Sequence, residues 1–100
     1  MSIYVVNKRN FNGNGIYIGR GKGSILGNPF QMNIEADRNR VIASYEIWLY
    51  SKIKEKGKVF NELIRIKNLA EKGDVYLVCW CKPKACHGDV IKKWIEEYDY

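Results

Sequence analysis

The chain has no apolar run approaching the roughly 20 residues that a helix needs to cross a bilayer. Its opening Met-Ser-Ile-Tyr-Val-Val-Asn reads as the start of a strand and not as a secretion signal, so a cytoplasmic protein with no membrane partner is expected. Histidine is scarcer still: His87 is the only one, and any imidazole proton transfer near neutral pH depends on it. Cysteine is limited to Cys79, Cys81 and Cys86, an odd count in one short stretch. That suits thiol chemistry or metal binding in a reducing compartment better than a secreted disulfide framework. There is no internal repeat, low-complexity stretch or linker, and 100 residues leave room for one core, so residues 1–100 form a single domain. The common nucleotide motifs are also missing. The Gly-Lys-Gly-Ser of 21–24 lacks P-loop spacing, and no helix follows these glycines as a dinucleotide fingerprint requires.

What is present builds a core. Hydrophobic residues make up 46% of the chain and aromatic residues 13%, the composition of a folded domain. The formal charge of +6 would attract phosphates, nucleotides or nucleic acid. Much of it sits at Lys52, Lys54, Lys56, Lys58, Lys67, Lys72, Lys92 and Lys93, interleaved with Glu, as on solvated helix faces. The informative cations are Arg20, Lys22, Arg38, Arg40, Lys82 and Lys84.

The local patterns predict the order β-β-α-α-β-α. Residues 2–7 and 15–19 are β-rich, and the intervening Asn10-Phe11-Asn12-Gly13-Asn14 carries turn chemistry that would join them in a hairpin. Residues 19–33 have no helical period and form a long loop of the kind that usually carries function. Val41, Ile42, Tyr45, Trp48, Leu49 and Ile53 recur at helical spacing, with Asp37 a fair N-cap and Gly57 a stop. Val59, Phe60, Leu63, Ile64, Ile66, Leu69 and Ala70 mark a second helix ending at Gly73. Residues 75–81 are unbrokenly apolar, as in a central strand, here 74–81, buried on both sides. A third helix starts near Cys86 and buries Val90, Ile91, Trp94, Ile95 and Tyr98. The fold class is therefore α/β, a small Rossmann-like sheet with three helices in two or three layers.

Two segments carry chemistry. In Cys79-Trp80-Cys81-Lys82-Pro83-Lys84-Ala85-Cys86-His87-Gly88-Asp89, strand alternation puts Cys79 and Cys81 on one face, at the carboxyl end of the central strand. Ligands bind there in open α/β sheets. Cys86 at the following helix start would be favoured as a thiolate nucleophile, with His87 as acid or base. The same helix start suits a bound anion. Asp89 is either a third catalytic residue or, three positions after Cys86, a cap that reaches back to a free amide. Cys79, Cys81, Cys86 and His87 also offer four zinc ligands, although Cys-x-Cys and an adjacent Cys-His depart from common structural spacings. Three buried thiols without chemistry are the plain alternative, with Cys79 the first to be ordinary core. In the second segment, 17–30, alternate glycines after a strand would let backbone amides approach an anion, helped by Arg20 or Lys22.

Taken together, Tyr17-Ile18-Gly19-Arg20-Gly21, Leu26-Gly27-Asn28-Pro29-Phe30, Arg38 with Val41-Ile42, Tyr45 and Trp48-Leu49, and Val78-Cys79-Trp80-Cys81-Lys82-Pro83 with Cys86-His87-Gly88-Asp89 form one pattern. It resembles the "domain of unknown function 4326" family of bacteria and phages, from about Tyr4 to Ile95. Gly19, Arg20, Gly27, Asn28, Pro29, Cys81, Cys86, His87 and Asp89 match its motif positions, and Lys22-Gly23 looks inserted. The resemblance implies a domain extent and a site, not a reaction, and sets the expected cytoplasm in a bacterial or phage-infected cell.

The leading expectation is a pocket for a nucleotide or other phosphate-bearing small molecule. Its ligand-binding residues would be Tyr17, Gly19, Arg20, Gly21, Gly27, Asn28, Phe30, Arg38, Cys81 and Lys82, with Trp80 available to stack. Such a domain is either an enzyme acting through Cys86, His87 and Asp89, or a ligand sponge or sensor facing nucleotide-signalling defences. No resident cofactor is needed, and a homodimer is one way to complete the pocket. The rival is a zinc-stabilised nucleic-acid or protein interaction module, disfavoured on the nucleic-acid side by the lack of a clustered basic helix. A third reading, an inhibitor docking onto a host protein, has only the aromatic richness behind it.

Overall fold

The apolar segment 75–79 needs partners on both edges, and that requirement organises the chain. The computed structural model describes residues 2–19, 24–30, 32–82 and 84–98. Among these, β1 (Ile3–Asn7), β2 (Ile16–Tyr17) and β3 (Val75–Cys79) form a sheet in the order β1-β3-β2. Both pairings are parallel, with Tyr4 opposite Tyr76 and Ile16 opposite Leu77. Helices α1 (Arg38–Glu55), α2 (Lys58–Lys72) and α3 (His87–Glu97) complete the expected β-β-α-α-β-α order. This small α/β fold is compatible with a Rossmann-like arrangement.

The expected hairpin is not formed. β1 and β2 flank β3 instead of pairing, and the segment between them crosses β3. Phe11 of that segment packs on Tyr76 with ring centroids 4.9 Å apart, and Tyr76 stacks on Tyr4 at 5.3 Å. The crossing is close: a Cβ on Gly15 would stand 2.6 Å from Val78 Cγ2 and 3.0 Å from the Tyr76 carbonyl oxygen. The Asn/Gly signal marks this crossing and not a two-strand turn, because a hairpin would leave one edge of β3 bare.

Alternation sends Ile3, Val5, Val75, Leu77 and Cys79 to the other face. There Ile3, Val75, Leu77 and Cys79 join one core with Leu63 and Ile66 of α2 and Ile91 and Ile95 of α3. The helices pack on one another over this face, so the domain has two layers. α1 buries Val41, Tyr45 and Leu49, one side of the predicted stripe. Asp37 occupies the N-cap position, but its side chain bonds Arg40 at 3.0 Å and not the helix amides. α1 turns at Lys56, the residue with left-handed backbone (φ 53°), and Gly57 precedes α2. Leu69, expected on the buried stripe of α2, is 40% exposed. α3 buries Val90, Ile91 and Ile95, while Trp94 stacks on Tyr98 at 4.4 Å. Among the described residues no helix is long and apolar enough to cross a membrane.

The long loop is tied to this core. Leu26 is buried, and its carbonyl accepts the Tyr45 hydroxyl at 2.8 Å. Replacing Tyr45 with Phe removes the donor and leaves a buried acceptor without that bond. Tyr45→Phe is expected to lower unfolding free energy by about 1–2 kcal/mol in urea titrations; an unchanged midpoint would show that the anchor carries no weight.

Candidate functional site

All three strands run the same way, so their carboxyl ends lie together and the chain leaves each of them at one edge of the sheet. Asn7, at the end of β1, donates from Nδ2 to the Trp80 carbonyl at 3.2 Å and to the Lys82 carbonyl at 2.7 Å, fixing the path of the chain after β3. That path turns through a Lys84 amide bond to the Cys81 carbonyl at 2.9 Å and enters α3 at Cys86. Arg38, at the start of α1, donates from Nη1 to the Ala85 carbonyl at 2.8 Å and pins the turn from the other side. Glu35 holds the same guanidinium through two bonds, at 2.5 and 3.0 Å, and also takes Lys84 at 3.2 Å. The Arg38 and Lys84 bonds push the Glu35 carboxyl down to about 2.

These ties surround a cleft of about 410 Å³, a size typical of small-molecule sites. Met32, Val41 and Ile42 give it an apolar wall. Cys79, Cys81, Cys86 and His87 line its inner part, and the exposed Tyr17 and Trp80 line its mouth. Trp80 Nε1 donates to the Tyr17 hydroxyl at 3.1 Å, and the Lys8 ammonium stands over both rings, 5.2 and 5.7 Å from their centres. Gly19, Asn28 and Arg38 also line the cleft. Asn28 is shaped by its own turn, its Oδ1 accepting the Phe30 amide at 2.8 Å.

The three sulfurs lie within 4.8 Å of one another, close enough to hold a metal ion, and Cys79 Sγ and Cys86 Sγ are 3.1 Å apart. All three cysteines are free thiols. Three thiols this close do not ionise together. Cys81 takes the charge: the neighbouring Cys79 and Cys86 thiols, and then the Arg38 guanidinium beside it, hold its thiol well below the ordinary range against partial burial. Cys86 goes the other way. The Cys79 and Cys81 sulfurs and then burial push its thiol up, opposed by the Gly88 amide at 3.4 Å. The thiolate that the sequence places at Cys86 therefore falls on Cys81, which is partly exposed where Cys86 is 1% exposed.

His87 is 7% exposed, and its Nε2 lies 2.6 Å from the Ile18 carbonyl oxygen. A carbonyl can only accept, so Nε2 carries a proton and donates it, while Nδ1 lies 3.6 Å from Cys86 Sγ. Asp89 forms the cap that its spacing suggested: Oδ2 accepts the Cys86 amide at 3.1 Å, while Oδ1 takes the Lys82 ammonium at 2.6 Å. Of the expected zinc ligands three converge, and His87 is not part of that group.

The cleft thus unites Tyr17, Gly19, Asn28, Arg38 and Cys81 from the predicted ligand set. Gly27, Phe30 and Lys82 stand outside its lining. A Cβ on Gly27 would meet the Gly19 carbonyl at 2.8 Å, so this glycine serves the close approach of two loop segments. Arg20 and Gly21 lie outside the described residues. Sequence reading missed Met32 and Ala85 of the lining, took Val41 and Ile42 for core alone, and gave no role to Glu35.

The fold and this edge define a small α/β domain with a thiol-lined cleft at the carboxyl ends of parallel strands. Residues 5–97 match the family described as Domain of unknown function (DUF4326), and the chain belongs to it. No curated protein and no solved structure matches the chain.

A thiol whose pKa is lowered by folding stays ionised as pH falls until the folded value is reached. In chelator-treated protein, iodoacetamide should modify Cys81 first, at a rate changing less than about threefold between about pH 8 and 6, where an ordinary thiol slows roughly a hundredfold. Arg38→Ala should restore part of that slope, and an ordinary profile in the folded protein would refute the assignment. Asp89→Ala should lose about 1–2 kcal/mol of unfolding free energy through the lost cap. Calorimetry reads that loss, and an unchanged transition would remove Asp89 from the capping role.

Proposed function

We propose that this chain binds a small phosphate-bearing ligand of nucleotide type in the cleft at the carboxyl ends of the strands. The observation that carries this reading is the convergence in one cavity of Tyr17, Gly19, Asn28, Arg38 and Cys81, which come from four separate segments of the chain. A cavity at this end of a parallel sheet is where α/β domains hold such ligands. Arg38 supplies a charge fixed in direction by Glu35 and Ala85, suited to a phosphate oxygen. Tyr17 and Trp80 offer aromatic surface to a base at the mouth, and Asn28 would present its Nδ2 to an acceptor on its edge.

Binding fits better than turnover through Cys86. That thiol is sealed from solvent and pushed up in pKa, and the Asp89 carboxylate is engaged by Lys82 and the Cys86 amide. A sponge or sensor for a nucleotide signal, as in a phage countering a host defence, is therefore preferred to a Cys86 enzyme. The rival zinc-stabilised interaction module draws its support from the thiol cluster.

Isothermal titration with inorganic phosphate and a panel of nucleoside mono-, di- and triphosphates tests the reading. At least one nucleotide class should bind, with affinity falling by about tenfold or more in Arg38→Ala, as for loss of a charged hydrogen bond. Trp80→Ala, altering an exposed side chain, should also weaken it. No binding to the folded chain at millimolar nucleotide would overturn the proposal.

A further inference from the structure

We infer that Cys79, Cys81 and Cys86 form a three-thiolate site for a thiophilic divalent cation, zinc by chemistry, whose fourth coordination position opens onto the cleft. This inference does not rest on nucleotide binding. Zinc–sulfur bonds of about 2.3 Å at tetrahedral angles place sulfurs about 3.8 Å apart. The three sulfurs here lie within 4.8 Å of one another, with Cys79 Sγ and Cys86 Sγ 3.1 Å apart, so no pair has to close by more than about 1 Å to reach that spacing.

The surroundings are those of a built site. The Gly88 amide points at Cys86 Sγ, an N–H to sulfur bond that suits a ligating thiolate, and the start of α3 favours negative charge there. The backbone of each ligand is held in place: Cys79 by the sheet, the turn at Cys81 by Lys84 and by the Asn7 bonds on either side of it, and Cys86 by Asp89. Charge balances as well. Three thiolates and a divalent ion leave one negative charge, and the Arg38 guanidinium beside Cys81 matches it. Binding releases the thiol protons to solvent and involves no redox step.

His87 does not supply the fourth ligand. Its Nδ1 stands 3.6 Å from Cys86 Sγ, but only the three sulfurs lie within 4.8 Å of one another, so the site is built on the sulfurs with the imidazole beside it. Cys81 and Cys86 both line the cleft, so the remaining position faces that space. This separates the site from a closed structural zinc, whose four protein ligands leave no opening.

The test uses the full chain, reduced and stripped of metal, titrated with cobalt(II) and then with zinc against a chromophoric chelator. One equivalent of cobalt should give thiolate-to-metal charge-transfer and tetrahedral d–d absorption, displaced by zinc. Added imidazole should shift the d–d bands, because an open position exchanges its ligand. Cys81→Ser is the decisive variant, since that side chain is partly exposed; with circular dichroism unchanged, it should lose about a third of the charge-transfer intensity and weaken binding at least tenfold. Failure of the folded chain to compete for either metal, or a Cys81→Ser titration identical to the parent, would overturn the site. Bands insensitive to imidazole would overturn the open position. Repeating the nucleotide titration on metal-free protein keeps the two proposals apart, since nucleotide binding there is independent of the metal result.

Discussion

Everything at the functional edge depends on β3 being sheathed in parallel on both sides. A strand of Val75, Tyr76, Leu77, Val78 and Cys79 is too apolar to leave an edge in water, and its amides and carbonyls need partners along both margins. β1 and β2 meet that need running in the same direction as β3, with the segment carrying Phe11 lying across it. Three carboxyl ends then face one way. The chain must leave the sheet three times at the same edge, and these departures bring Ile18, Gly19, Asn28, Trp80, Cys81 and the start of α3 together.

The contact is held by polar ties more than by packing. Asn7 grips the turn through two carbonyls, Arg38 grips it through Ala85, and Asp89 closes the helix start. The Asn7 and Arg38 ties join residues far apart in sequence, so the cleft is a product of the folded domain and not of a local motif. The same ties sort the thiols electrostatically. Cys86 is enclosed and shares its sulfur with a buried neighbour, whereas Cys81 sits where a guanidinium can face it. One position is thereby favoured as an anion while the Cys86 thiol is pushed the other way.

How much of this could be read beforehand follows from the range of each interaction. The helices were legible because their apolar spacing is local, and β3 because its apolar run is unbroken. The Asp89 cap was legible because it depends on a separation of three residues. Strand order was not, since Asn and Gly at 10–14 report only that the chain bends, and nothing local says whether the next strand pairs with the last one. The reversal between Cys86 and Cys81 was hidden for a similar reason. A helix start lowers a thiol pKa in isolation, but two adjacent sulfurs and a guanidinium delivered by α1 outweigh it. Val41 and Ile42 have a double role, continuing the helical stripe while ending as cleft wall, and periodicity cannot separate the two. Glu35 lies in a stretch with no period, so its hold on Arg38 left no trace in the pattern.

The excess of positive charge bears on what this edge can recognise. Among the cations that the sequence marked as informative, Arg38 and Lys84 are held by Glu35, Arg40 by Asp37 and Lys82 by Asp89. A surface that binds a nucleic-acid backbone works by presenting many solvated charges in a row, each releasing counterions. Here the four described cations are drawn one by one to neighbouring carboxylates, which fixes their direction and lowers the field they project. Of these, Arg38 lines the cleft, with 14% of its side chain exposed. A single oriented guanidinium at a small cavity discriminates one anionic group at short range and attracts little from afar. Among the described residues, that arrangement supports the proposed compact ligand and the proposed metal-thiolate site over an extended polyanion.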